Sequence, residues 1–180
     1  MSARGIAGPR ANLRDRLAGG STRDLGCTDE VVREVLESPK RARTLVNQLV
    51  AALDDEHIVV PHRASNALKK IQRSHPALLE PHAKQILQRA LHTDHLHTRW
   101  NLLIILGELP LRGRDKSLAV DLMFEALSSR SALERTFALQ ALANYAQHDA
   151  ALRKRVLPIL NKALADSSAA IRARARKLLS

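Results

Sequence analysis

Residues 156–180 read VLPILNKALADSSAAIRARARKLLS. The first half carries apolar residues at helical spacing. A short polar turn follows, and then a second helical stretch in which arginine alternates with alanine. A helix, a turn and a helix in 25 residues form a hairpin, and the pair Ala163-Leu164 that closes its first helix recurs upstream. The same Ala-Leu pair stands at Ala126-Leu127, Ala90-Leu91 and Ala52-Leu53, so the anchor leucines are 37, 36 and 38 residues apart. Four residues before each anchor stands another bulky apolar side chain: Leu49, Leu87, Met123 and Leu160. That spacing is one face of a helix, presented four times.

The second helix keeps the phase. Fourteen residues after each anchor come Ala67, Ile105, Ala141 and Leu178, each followed by Leu. A constant offset means that no unit carries an insertion between its two helices. The units run over about 41–75, 76–110, 111–148 and 149–180. Their first helices (A) are predicted near 41–53, 77–91, 116–127 and 150–164. Their second helices (B) are predicted near 60–74, 97–109, 132–147 and 169–179. Between A and B lie short polar side chains (Asp54 and Asp55, Thr93 and Asp94, Ser128 and Ser129, Asp166 and Ser167) able to accept the free N–H groups of the next helix. Upstream of 41 the pattern fades. TDEVVREVLE (28–37) predicts an extra helix with Thr28 as N-cap, stopped by SPK. Residues 1–27 are basic and contain glycine, and are expected to be a poorly ordered lead-in to a single domain over 28–180.

Composition agrees with closely packed helices. Aromatic residues make up only 2% of the chain, so the core must be Leu, Ile, Val and Ala. The single Cys27 excludes an internal disulfide. No stretch approaches the ~18 apolar residues of a membrane span, and the first 27 residues lack a secretory core, so a cytoplasmic protein is expected. The formal net charge is +11. It favours acidic partners, nucleic acid among them. Over half of it lies in residues 148–180, which hold eight Lys and Arg against two Asp.

The unit resembles the HEAT repeat, within the armadillo-like helical repeats. The last unit carries that pattern's Pro in helix A (Pro158), its turn Asp (Asp166) and its apolar-Arg pair opening helix B (Ile171-Arg172). TRWNLLIILGEL (98–109) and ERTFALQALANY (134–145) fit the helix B pattern, with Arg99, Arg135 and Arg172 at the repeat-Arg position and Gly107 where glycine is frequent. The first unit departs, with Pro61 at the Arg position and Arg63 two residues later. The middle units have Thr93 and Ser129 at the turn position. The resemblance implies an all-α fold: an α-solenoid of about four HEAT-like hairpins plus the extra N-terminal helix, with B helices lining a concave face. It implies a platform for binding and no particular activity.

Two surfaces follow. Trp100 is aligned with His62, Thr136 and Ala173, and Ile104 with Asn66, Gln140 and Lys177. One unit thus presents an apolar pair where its neighbours are mostly polar. With Arg99, Arg135, Arg63 and Gln140 around it, this pair is the expected contact patch for a protein segment of acidic character. The second surface is the basic last unit, where Arg172, Arg174 and Lys177 would suit phosphate backbones. Against it stands a simpler role for RARARK (172–177): a terminal repeat has no successor and needs a polar outer face. The histidines of HTDHLH (92–97) straddle a turn and lack a metal-binding pairing such as HExxH, so no metal is expected. No phosphate loop, nucleophile elbow or Cys-His pairing occurs, and no cofactor or catalytic residue is assigned. The expected function is a non-enzymatic scaffold or adaptor. The alternatives are a nucleic-acid-binding module, and a HEAT-like lyase or DNA-glycosylase relative. The sequence leaves the oligomeric state open.

Overall fold

The computed structural model describes residues 12–19 and 24–180. Ten α-helices and no strand occur among them: α1 (Leu13–Ala18), α2 (Thr28–Glu37), α3 (Pro39–Ala51), α4 (Val59–Ser74), α5 (Ala83–His92), α6 (Leu96–Leu106), α7 (Gly113–Ala126), α8 (Ala132–Ala146), α9 (Ala150–Ala163) and α10 (Ala169–Leu179). Helices α3, α5, α7 and α9 are the A helices; α4, α6, α8 and α10 are the B helices. Each A helix packs on its own B helix, and the B helices pack in succession, α4 on α6, α6 on α8 and α8 on α10. Leu, Ile, Val, Met and Ala fill the space between the two layers, as the scarcity of rings requires.

Local chemistry sets the ends. Pro39 sits in the first turn of α3, where its missing N–H has no helical partner to lose. Pro61 lies in the first turn of α4 for the same reason, which is how the first unit tolerates proline at the repeat-Arg position. Ser131 caps α8 by accepting from Glu134 N, and Asp149 caps α9 by accepting from Leu152 N. The four A–B turns share one hydrogen bond. Asp55, Thr93, Ser129 and Asp166, each two residues after its anchor leucine, accept from the backbone N–H two residues further on, at 2.9, 3.3, 3.1 and 2.8 Å. Thr and Ser therefore serve where the repeat pattern has Asp.

The N-terminal end differs from the sequence expectation. Helix α2 begins at Thr28 but is capped from Cys27. Thr28 is buried inside the first turn and its hydroxyl donates to Leu25 O, so it is not the N-cap. Helix α2 packs on α4 just as each later B helix packs on its predecessor. Within the segment expected to be a disordered lead-in, residues 13–18 form α1, which lies against α3 and α4 with Leu13 and Leu17 buried. Asn12 caps it, Arg14 pairs with Asp55 at 2.6 Å, and Arg16 pairs with Glu34 at 2.9 Å. The rest of residues 1–11, and residues 20–23, lie outside the described part.

One column of side chains stitches the B layer together. Ten residues after each anchor stand Arg63, Asn101, Phe137 and Arg174, and each reaches back to the element before it. Arg63 bonds carbonyls at the end of α1, Asn101 bonds Ser65 on α4, Phe137 meets Trp100 on α6, and Arg174 bonds Gln140 on α8. At the far end of α6, the Tyr145 hydroxyl of α8 lies 2.8 and 3.0 Å from Leu106 O and Leu109 O and shares its one proton between them, tying α8 to the turn after α6. Burial pushes this phenol up to about 12.

Candidate functional site

The B helices bring four rings of the chain into one row. His62 of α4 lies 5.0 Å from His97 of α6, centroid to centroid; His97 meets Trp100 edge-on at 5.8 Å; Trp100 lies 5.3 Å from Phe137 of α8. The row crosses three helices. Its members are partly exposed, and His97 is exposed. Trp100 turns its indole N–H inward, where it finds no hydrogen-bond partner among the described residues. Ile104 lies one turn along α6, half-buried.

Lys69 of α4 lies over the Trp100 ring, its Nζ 5.6 Å from the centroid. Its ammonium donates to Asn101 Oδ1 at 2.6 Å, and Asn101 in turn donates to Ser65 Oγ at 3.2 Å. Asn101 and Ser65 are buried and neutral, and no carboxylate pairs with Lys69 among the described residues. Burial, and then the neighbouring Arg73 and Lys70, push the Lys69 amine down to about 8. His62 is also held below its ordinary value, first by burial and then by the positive field of His97, Lys69, Arg63 and His95. The row is thus aromatic and edged by the Lys69 ammonium, which has no carboxylate partner among the described residues.

The residues singled out from the sequence divide into three groups. Trp100, Ile104 and Gln140 are partly exposed on the B helices, with Gln140 bonded to Asn144 and Arg174. The repeat arginines are already employed. Arg99 donates to Glu125 at 2.6 Å, and its Nε lies 2.9 Å from Glu134 as an ion pair without hydrogen-bond alignment. Arg135 and Arg172 donate to the carbonyls of their own A–B turns, and Arg135 also faces Asp166 of the next unit at 3.7 Å. Arg63 does not reach this surface: it is 0% exposed and bonded to the N-terminal segment. His62, His97, Phe137 and Lys69 complete the row and were not singled out. Trp100 stands nine residues after its anchor and Phe137 ten, so they occupy different columns of the repeat.

The run RARARK also divides. Arg172 and Arg174 are internal fasteners. Arg176 is exposed, whereas its aligned residues Ser65, Leu103 and Leu139 are all buried under the following unit. Lys177 is exposed as well. Arg174 faces its predecessor, so the lack of a successor does not explain it.

Two layers of paired antiparallel helices in register define an α-solenoid, the class of helical-repeat proteins. The profile of the HEAT repeat domain matches residues 21–171. The chain belongs to the HEAT-repeat family. Among curated proteins and among solved structures, none matches it. No helix of the described residues is long and apolar enough to cross a membrane.

Proposed function

We propose that this HEAT-repeat protein is a non-enzymatic adaptor that binds an acidic segment of a partner protein on its B-helix face, the concave side in this family. Trp100 is the apolar anchor and Lys69 the charge that meets a partner carboxylate. The observation that carries this reading is the partly exposed indole lying under a half-buried ammonium that no carboxylate among the described residues neutralises. Desolvated aromatic anchors beside complementary charge are where binding energy concentrates. Arg99 and Arg135, expected from the sequence to supply the charge, are tied to Glu125, Glu134 and Asp166. Ile104 and Gln140 extend the contact along the face.

A nucleic-acid reading leans on the last unit. There Arg172, Arg174 and Arg153 are bonded internally, and Arg155 lies over the Phe124 ring at 4.4 Å. An enzyme relative needs a carboxylate set for chemistry. Two depressions of about 590 Å³ each have one carboxylate apiece in their walls, Glu108 in one and the turn-bound Asp166 in the other. A third, of about 500 Å³, holds Glu30, Glu34 and Glu37, but it is wide open and Glu34 is paired with Arg16 and Arg41.

Trp100 is the only tryptophan, so its fluorescence reports on this face alone. Glutamate-rich peptides carrying aliphatic residues should shift its emission on titration. Trp100→Ala should weaken their binding by about 2 kcal/mol, the hot-spot scale, while costing about 1–2 kcal/mol of stability from the lost ring contacts. Tighter binding of a single-stranded oligonucleotide, steeply salt-dependent and indifferent to Trp100→Ala, would replace this reading with the nucleic-acid one.

Peptide affinity should also fall several-fold between pH 7 and pH 9. Lys69 is charged below about 8 and neutral above it. A bound carboxylate favours the charged form, so binding near pH 8 should take up protons, measurable by calorimetry in buffers of different ionisation enthalpy. Lys69→Met should flatten the profile. For the free protein the sign is opposite. Between about 8 and the ordinary lysine value the unfolded chain holds more protons, so this lysine's contribution to stability rises with pH.

A further inference from the structure

The three central B helices share a second feature. Each opens with an exposed aliphatic side chain one turn before a ring of the row: Ile58 before His62 at α4, Leu96 before Trp100 on α6, and Leu133 before Phe137 on α8. Their exposures are 58%, 45% and 49%. The only other large apolar side chains so open among the described residues, Leu157 and Leu164, belong to α9 and its end. A single exposed leucine needs no explanation. Three in register on neighbouring helices form a patch, and patches mark contact surfaces.

The geometry of the patch can be built from its parts. Residues four apart on a helix share a face, about 6 Å from one another. The ring contacts from α4 to α6 and from α6 to α8 show that these faces are adjacent. The aliphatic residues therefore make a row beside the rings. The helix axes lie about 8–10 Å apart, which sets the step of the aliphatic row; the rings lean together across it, Trp100 and Phe137 standing 5.3 Å apart.

Few backbone conformations match two such rows. A β-strand turns successive side chains to opposite faces and repeats about every 6.6 Å on one face, too short a step. A polyproline helix repeats every three residues, about 9.3 Å, but offers one row per face. An amphipathic α-helix offers residues seven apart at about 10.5 Å, with a second row set three or four residues over. Charge narrows the chemistry further. Lys69 carries no carboxylate partner, and a second copy of this chain would bring a further net charge of +11. Exposed aliphatic side chains have nothing to offer a phosphate backbone.

Resting on the adaptor reading above, we infer that the docked segment is an amphipathic helix with acidic flanks, laid across α4, α6 and α8. Its heptad-spaced aliphatic residues sit against Ile58, Leu96 and Leu133 on one side and His62, Trp100 and Phe137 on the other.

The probe is a synthetic 21-residue peptide with Leu at the first and fourth positions of three heptads and mainly Glu elsewhere, too charged to self-associate at neutral pH. Two controls have a similar charge: one alternates Leu and Glu, and one is proline-rich with Leu at every third residue. Binding is read by titration calorimetry, which serves the Trp100→Ala variant as well, and helix formation by circular dichroism. The heptad peptide should gain helix on binding and bind at least tenfold tighter than either control. The triple variant Ile58→Ser, Leu96→Ser, Leu133→Ser alters only exposed side chains and should weaken it at least tenfold. Equal or tighter binding of a control overturns the inference, as does an unchanged affinity in the triple variant. If Trp100→Ala still weakens binding in those cases, the adaptor reading stands without the helix. If none of the acidic peptides binds, both fall.

Discussion

Arg63→Ala is expected to destabilise the protein by about 4 kcal/mol and to undock its N-terminal helix. The guanidinium is fully buried and donates to Leu17 O at 2.6 Å, to Gly19 O, and to the backbone and carboxylate oxygens of Asp24 at 3.3 and 3.2 Å. Leu17, Gly19, Asp24 and Gly26 all lie against it. Gly26 has φ +51, and a Cβ there would lie 2.8 Å from the Arg63 guanidinium carbon, so the contact is close on that side too. Helix α1 has six residues, far too few to persist alone. Removing the guanidinium strands buried carbonyls at about 1–3 kcal/mol each and opens a void. Hydrogen exchange and proteolysis should report the loss at residues 12–19 first, while overall helicity falls only slightly. Arg63→Lys should recover little, because one ammonium cannot span the same set of oxygens. Unchanged melting and unchanged N-terminal protection would show that α1 is held by its other contacts alone.

Gly107→Ala should cost about 3 kcal/mol, at the upper end of overpacking effects. The α6 and α8 backbones approach so closely here that a Cβ on Gly107 would lie 2.6 Å from Ala141 Cβ and 2.8 Å from Ala141 Cα. A backbone atom cannot swing aside, so the two helices would have to part. That would strain the bonds from Asn144 to Gly107 O and from Tyr145 to Leu106 O as well. The compensating change is Ala141→Gly. That removes the 2.6 Å contact and leaves the one to Cα, so the double variant should recover only part of the lost stability, and the coupling in a double-mutant cycle measures the Cβ–Cβ share of the clash. Additive effects would mean that the helices separate at no cost.

The repeat was legible because its phase is strict. The anchors Leu53, Leu91, Leu127 and Leu164 fix the register of both helices, and the turn acceptors follow each by two residues. What escaped was everything that depends on contact between units. LRDRLA offers two leucines in six residues, too little pattern to announce a helix, and Arg63, which bonds its Leu17 carbonyl, lies 46 residues away. Aligned columns pair Trp100 with Thr136, whereas in space its neighbour is Phe137, one column over, because adjacent B helices pack with a stagger. Lys69 had no signal at all: its place over the indole follows from the Asn101 and Ser65 bonds beneath it. Repeat arginines read as free charge become turn fasteners once the carbonyls of the A–B turns converge on them.

The back-reaching column gives the array a direction in time. Arg63, Asn101, Phe137 and Arg174 each need a group that lies earlier in the chain. As synthesis proceeds from the N-terminus, each B helix emerges to find its receptor already made. Helix α6 meets Ser65 on a finished α4, and α10 meets Gln140 on a finished α8. A permuted chain that began at α7 would have to fold α8 with the Phe137 ring waiting, unmatched, for a tryptophan not yet synthesised.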